Sequence, residues 1–77
     1  MSQPKQESAR EVFARNLRRL RRERGVTQEQ LSHSTGLNQS YLSEVEAGKR
    51  NISIDNIDAL AKALGVGIVV LFENRPV

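Results

Sequence analysis

Residues 27–46 constrain the fold more than any other stretch, because two helix-start signals flank one glycine within a short span. Thr27, with Gln30 three places later, forms a capping-box pattern, and Asn38 is a favoured N-cap. Gly36 lies between them, where the chain needs a tight turn. We therefore predict two short helices joined by this turn, at residues 28–35 and 39–46.

The side chains of this stretch separate into an apolar face and a polar face. The apolar residues fall where a packed helix pair must bury its inner surfaces: Leu31, Leu37, Leu42 and Val45. Ser32 is small, which allows the two helices to approach closely. The second helix keeps an outward face of polar side chains: Gln39, Ser40, Ser43 and Glu44. Such side chains suit the reading of base edges in a DNA major groove, so the pattern indicates a helix-turn-helix.

Further helices are predicted on both sides of this motif. A capping box at Ser8 starts the first helix, whose apolar residues recur at helical spacing: Phe13, Leu17 and Leu20. Gly25 is placed to end this helix. Another helix begins after Ser53, carries an apolar stripe and ends at Gly65.

The apolar run at residues 68–72 is too short for periodicity to decide between a helix and a strand. Its β-branched residues favour a strand locally. An isolated strand would have no pairing partner in this chain, so we predict a short fifth helix. The expected organisation is an all-α, five-helix domain at residues 8–74, between a disordered N-terminal arm (1–7) and a C-terminal tail (75–77).

Positive charge is concentrated near the start of the chain. Eight of the twelve Lys and Arg residues lie within the first 24 positions, and the formal net charge is +3. A basic cluster of this kind fits a polyanionic partner, although a solvated helix face would have the same composition. The neighbouring helix-turn-helix pattern favours DNA as the partner.

The composition argues against an enzyme and against a metal site. The chain has no cysteine, and its one histidine, His33, is expected on the exposed side of its helix. No base is therefore placed to activate a nucleophile, and the acidic residues lack metal-ligand spacing. We expect no cofactor, no metal and no small-molecule substrate. The polar N-terminus lacks the apolar segment of a signal peptide, so we expect a cytoplasmic protein without membrane contact.

Three stretches of the chain resemble the Cro/C1-type (XRE) helix-turn-helix family. They are Thr27–Leu31, Gly36–Leu37 and the run from Ser40 to Ser53, which reads Ser-Tyr-Leu-Ser-Glu-Val-Glu-Ala-Gly-Lys-Arg-Asn-Ile-Ser. Within that family it is most similar to the small controller proteins of restriction–modification systems. The resemblance covers roughly residues 10–72. It implies a compact, lambda-repressor-like domain that binds operator DNA as a symmetric dimer.

The resemblance also assigns contact roles to individual residues. The base-reading positions of the family fall on Asn38, Gln39, Ser40, Ser43 and Glu44. The positions expected to contact the DNA backbone are Gln28, Tyr41, Lys49, Arg50 and Asn51. Backbone contacts of this kind position a protein on DNA without reading its sequence.

Several of these assignments have an alternative. Gln28 either contacts a phosphate or only decorates the first turn of its helix, and the loop of Lys49, Arg50 and Asn51 either lies on the DNA backbone or is simply solvated.

The residues of the second helix of the motif also allow two interpretations. Gln39 suits adenine or a phosphate, and many controller-like relatives carry arginine there. Glu44 either accepts from a cytosine amino group or acts as a solvated acid that repels phosphate. Tyr41 either places its hydroxyl on a phosphate or serves as a half-buried aromatic at the edge of the core.

Two structural roles complete the expectations. The family pattern predicts a salt bridge between Arg21 and Glu46, which would tie the first helix to the motif. Arg18, Arg22 and Arg24 remain general electrostatic candidates. For the dimer interface we predict Ile68, Val69 and Val70, because Leu71 and Phe72 match family positions that cover the core.

The leading hypothesis is a sequence-specific transcription regulator that binds a pseudo-palindromic operator as a homodimer. RNA polymerase would be a further partner if the protein activates transcription. The alternative is an antitoxin-type protein-interaction module that also binds its own promoter. Antitoxins usually carry an extra toxin-binding element, and no long extra segment is seen here.

Overall fold

Four α-helices and one 3-10 helix follow one another in the computed structural model, which describes residues 7–74. The α-helices are α1 (Ala9–Glu23), α2 (Gln28–Thr35), α3 (Gln39–Glu46) and α4 (Ile54–Leu64), and the 3-10 helix is Ile68–Phe72. No strand occurs among residues 7–74, so the predicted all-helical class is confirmed. The predictions made for residues 1–6 and 75–77 lie outside the described residues.

The prediction of five helices needs a correction, because the last of them is not an α-helix. Residues Ile68–Phe72 form a 3-10 helix of five residues, with no side-chain cap at Gly67. Helices of this type occur as short pieces because their hydrogen-bond geometry is poorer than that of an α-helix. The α-helix count is therefore four.

Side-chain caps start all four α-helices where the sequence placed them. The Ser8 hydroxyl accepts from the Glu11 N–H, and the Thr27 hydroxyl accepts from the Gln30 N–H. In both boxes the side chain at the third position also accepts from the N–H of the capping residue. Each cap satisfies N–H groups that a helix start leaves without a partner, so the boundaries follow from local chemistry.

The turn between α2 and α3 is tight and has a positive φ at Gly36, 76°. L-residues with a Cβ rarely adopt this left-handed conformation, which explains the glycine. Ser32 contributes more than its small size, since its hydroxyl donates a hydrogen bond to the Leu37 carbonyl across the turn. The two helices are thereby fixed close together.

One hydrophobic core joins all the helices. Its fully buried side chains come from every element: Phe13 and Leu17 of α1, Leu31 of α2, Leu42 and Val45 of α3, Leu60 of α4 and Leu71 of the 3-10 helix. Burying side chains of this size contributes about 1.5–3 kcal/mol each. The core thus holds α3 through its buried face, and the opposite face of this helix stays exposed.

Asn16 is a buried polar residue within this core, and it fixes the C-terminal segment. Its side chain is 1% exposed and lies on the core side of α1. The amide nitrogen donates to the Leu71 carbonyl at 2.9 Å and to the Glu73 carbonyl at 2.8 Å. Its oxygen accepts from Arg19 at 3.1 Å. One side chain therefore takes up two backbone carbonyls at the end of the 3-10 helix.

Asn16→Leu should lower the free energy of unfolding by about 1–3 kcal/mol, because the Leu71 carbonyl would stay buried without a donor. Urea denaturation followed by circular dichroism measures this loss. Asn74→Ala, which changes an exposed asparagine, serves as the control and should leave the midpoint unchanged. An unchanged midpoint for Asn16→Leu would contradict the anchoring role.

Candidate nucleic-acid interface

The outward face of α3 is exposed and polar. All five predicted base-reading residues, Asn38, Gln39, Ser40, Ser43 and Glu44, are exposed. Asn38 also caps the helix, because its side-chain oxygen accepts from the N–H groups of Ser40 at 2.8 Å and Tyr41 at 3.3 Å. Because that oxygen already accepts two hydrogen bonds, Asn38 is left with its amide nitrogen, a donor, for contact with a base.

The inner end of α3 is fixed by the carboxylate of Glu46, which is 3% exposed. Arg21 of α1 donates to it twice, from Nε at 2.6 Å and from Nη2 at 3.0 Å, so the predicted pair is formed with bidentate geometry. Arg21 also donates to the Val26 carbonyl at 2.9 Å. Arg18 donates to the backbone carbonyl of Glu46. Two arginines of α1 therefore bind the last residue of α3.

The ion pair shifts the proton equilibrium of the arginine. The hydrogen bond to Glu46 raises the pKa of Arg21 above its ordinary value, and the smaller effect of burial opposes this. A group with a raised pKa contributes stability at every pH below its unfolded value and loses it only above that value. Because arginine titrates far above neutrality, the Arg21 cation persists across the working pH range.

Gln28, expected at a DNA phosphate, uses its side chain inside the protein. Its amide nitrogen donates to Glu46 at 3.0 Å, which joins the start of α2 to the end of α3. An amide nitrogen has two N–H groups, so this bond leaves one donor for an external acceptor. Gln28 lines an open hollow of about 590 Å³ together with Gln39 and Arg22.

The loop after α3 is held close to that helix. Gly48 has a φ of 74°, and the Lys49 N–H donates to the Glu44 carbonyl at 2.9 Å. The Tyr41 hydroxyl donates to the Asn51 carbonyl at 3.3 Å. Lys49, Arg50 and Asn51 are all exposed. The loop thus carries two cations beside the polar face of α3.

Tyr41 fits neither sequence interpretation alone. It is half-buried, as the edge-aromatic interpretation expects. Its hydroxyl nevertheless has two hydrogen-bond partners within the protein, the Asn51 carbonyl and the Asn56 side chain, each at 3.3 Å. Tyr41 therefore connects α3, the following loop and the start of α4.

The arginines of α1 divide into internal and external groups. Arg18 and Arg21 are half-buried and bind Glu46, whereas Arg22 and Arg24 are exposed. Neither the internal role of Arg18 nor the anchor at Asn16 was predicted from the sequence. A signal for Asn16 was present, since it lies three residues after Phe13 and four before Leu20, on the apolar face of the helix.

A second exposed surface is apolar and lies on the 3-10 helix. Ile68 is 51% exposed and Val69 is 75% exposed, whereas Val70 is half-buried against the core. Leu71 is fully buried, as expected of a residue that covers the core. Phe72 covers the core only in part: it is 41% exposed, and its ring packs on that of Phe13 with centroids 5.4 Å apart and 39° between the ring planes.

Residues 7–74 contain neither a membrane-spanning helix nor a cluster of metal-ligating side chains. None of the helices there has the length and apolar character required to cross a bilayer. No three His, Cys, Asp or Glu side chains in that range are grouped so that they could hold a metal ion.

The comparisons with known proteins agree with this geometry. A family model described as "Helix-turn-helix" (HTH_3) matches residues 17–71. The uncharacterized HTH-type transcriptional regulator y4dJ of Sinorhizobium fredii is 45% identical over 62 residues, which is 80% of this chain and 80% of that protein.

Two solved structures are similar over most of the chain. The restriction–modification controller protein C.AhdI of Aeromonas hydrophila superposes with a TM-score of 0.79 at 43% identity, covering 82% of this chain and 96% of that one. The controller protein C.Esp1396I, solved as a tetramer with its natural 35 base-pair operator, gives a TM-score of 0.77 at 30% identity. That match covers 87% of this chain and 88% of that one.

Arg21→Met should lower the free energy of unfolding by about 3–5 kcal/mol, because it leaves the buried Glu46 carboxylate without its charged partner. Replacing both partners, Arg21→Met with Glu46→Met, should recover much of that loss, since no unpaired charge is then buried. Urea denaturation of the wild type, both single variants and the double variant gives the coupling energy. Additive losses would show that the pair does not act as a unit.

Proposed function

The chain belongs to the helix-turn-helix (HTH_3) family, and from this premise we propose that it is a sequence-specific DNA-binding transcription regulator. It acts as a homodimer on a pseudo-palindromic operator. The role requires a compartment that holds DNA, which we propose is the cytoplasm. The family is one of DNA-binding regulators rather than enzymes, and we assign the chain no catalytic role.

One observation carries the proposal: the polar face of α3 is exposed while its opposite face is anchored. Leu42 and Val45 are buried in the core and Glu46 is bound by α1 and α2. The outward side chains, Gln39, Ser40, Ser43 and Glu44, are then exposed to solvent. A short helix with this division can enter a major groove and present side chains to base edges.

The backbone-contacting residues surround this face. The chain offers Gln28 at the start of α2, Tyr41 within α3, and the loop of Lys49, Arg50 and Asn51. Cations beside a reading helix neutralise phosphates and release counterions, which gives affinity that falls steeply with salt. We propose that these residues set the position of α3 on DNA, and that bases are read by Asn38, Gln39, Ser40, Ser43 and Glu44.

The dimer is proposed to form through Ile68, Val69 and the exposed part of Val70. Exposed apolar side chains grouped on one short helix favour association over contact with water. A two-fold dimer would place two copies of α3 in successive major grooves, about 34–36 Å apart. The controller C.Esp1396I, similar over most of this chain, was solved as a tetramer with its operator. This supports an oligomeric DNA-bound state for our chain as well.

The direct test is selection of bound fragments from random or genomic DNA, followed by sequencing. An enriched sequence with two related half-sites is the expected result. The purified protein should bind that sequence far more tightly than random duplex at the same salt concentration. Equal affinity for both would reject sequence-specific regulation.

Gln39→Ala should change which operator sequences are preferred, because it removes an amide from the reading face. Fragment selection with the variant measures the change. Lys49→Ala is the matched control: it should weaken binding to all sequences about equally and flatten the salt dependence, since phosphate contacts carry no sequence information. Unaltered relative affinities for Gln39→Ala would remove Gln39 from the readers.

Val69→Glu should convert the dimer to a monomer, because it places a charge in the proposed apolar contact. Sedimentation equilibrium measures the mass. Ile54→Glu is the control, since Ile54 is an exposed apolar residue on α4, 78% exposed, and should leave the dimer intact. A Val69→Glu dimer of unchanged stability would place the interface elsewhere.

A further inference from the structure

Two oppositely charged residues of the proposed DNA surface are paired with each other. Arg50 Nη1 lies 3.4 Å from Glu44 Oε1, and both side chains are about half exposed. The Arg50 guanidinium also lies over the ring of Tyr41, 5.3 Å from its centroid. A residue proposed to bind phosphate is thus held by two residues of the reading helix.

The backbone around this pair is fixed, so the contact does not depend on two loose side chains. The Lys49 N–H donates to the Glu44 carbonyl, which turns the chain back along α3. On the other side of Arg50, the Asn51 carbonyl accepts from Tyr41 and the Asn51 side chain accepts from Arg10 of α1. Arg50 therefore lies between two anchored points of the backbone, with its guanidinium within reach of α3.

DNA would compete with Glu44 for this arginine. When a DNA phosphate binds Arg50, the Glu44 carboxylate loses its partner and remains in the negative potential of the groove. This unfavourable change offsets part of the free energy gained from the phosphate contact. This loss is recovered where a base offers the Glu44 carboxylate a hydrogen-bond donor. In the major groove the amino group of cytosine is the usual donor to an acidic side chain.

We propose that Glu44 selects cytosine by an exchange of partners: it holds Arg50 in the unbound protein, and on the preferred operator it accepts the cytosine amino group while Arg50 binds a phosphate. This inference rests on the proposed DNA-binding function and extends it. The pair lowers affinity for arbitrary duplex and leaves affinity for the operator nearly unaffected. The Glu44 side chain thereby reads a base and also weakens non-specific binding.

Glu44→Gln tests the exchange, because it removes the charge and keeps the shape. The variant should bind random duplex about two- to five-fold more tightly than the wild type, the range that an exposed ion pair supports. Fragment selection with the variant should lose a cytosine preference that the wild type shows in each half-site. In an Arg50→Gln background, Glu44→Gln should produce little further gain on random duplex.

Asp58→Asn is the matched control, since it also removes one negative charge and one exposed ion pair, that with Lys62 on α4. It should change neither the affinity for random duplex nor the selected sequence. Thermal unfolding by circular dichroism establishes that each variant is folded. Fluorescence anisotropy with labelled duplexes gives the affinities at one fixed salt concentration.

The outcomes distinguish a failure of this exchange from a failure of the proposed sequence-specific DNA binding. A wild type without any sequence preference would overturn both. A wild type with a preferred operator but no cytosine preference dependent on Glu44 would overturn only the exchange. A gain on random duplex of equal size with and without Arg50 would also overturn it, because simple repulsion between Glu44 and phosphate would then be sufficient.

Discussion

The buried carboxylate of Glu46 is the contact on which the rest of the structure depends. It accepts from Arg21 at 2.6 and 3.0 Å and from Gln28 at 3.0 Å, so one side chain joins α1, α2 and α3. A buried ion of this kind is stable only because both of its oxygens accept hydrogen bonds and one donor carries the opposite charge. Moving any of the three helices would leave this buried charge without its hydrogen-bond donors, which is energetically unfavourable. The three helices are therefore held in a single arrangement.

That geometry decides which charges are available to a partner. Arg18 and Arg21 are used within the fold, whereas Arg22, Arg24 and Arg50 are exposed. The basic composition of the chain is thus partly a structural property, and only part of it contributes to the proposed interface. The same division applies to amides, since Asn16 and Gln28 bind internal acceptors while Gln39 is exposed.

Local chemistry made much of the fold predictable. The caps at Ser8, Thr27, Asn38 and Ser53 and the left-handed glycine at Gly36 act within a few residues, so the sequence placed the four α-helices closely. The apolar spacing predicted the buried faces for the same reason. The 3-10 geometry of Ile68–Phe72 was not predictable, because a five-residue apolar run carries no local signal for it and the segment is held by long-range contacts, such as the hydrogen bond from Asn16 to the Leu71 carbonyl.

The sequence by itself determined the helix boundaries, the core and the outward polar face of α3, since these follow from caps and from a 3.6-residue period. Beyond the capping boxes and the Arg21–Glu46 pair, only the tertiary structure decided which polar groups bind one another. Gln28 with Glu46, Arg18 with the Glu46 carbonyl, and Arg50 with Glu44 join residues from different elements or across a turn. Hydrogen bonds and ion pairs require distances near 3 Å, and such distances are set by how helices pack rather than by the order of residues.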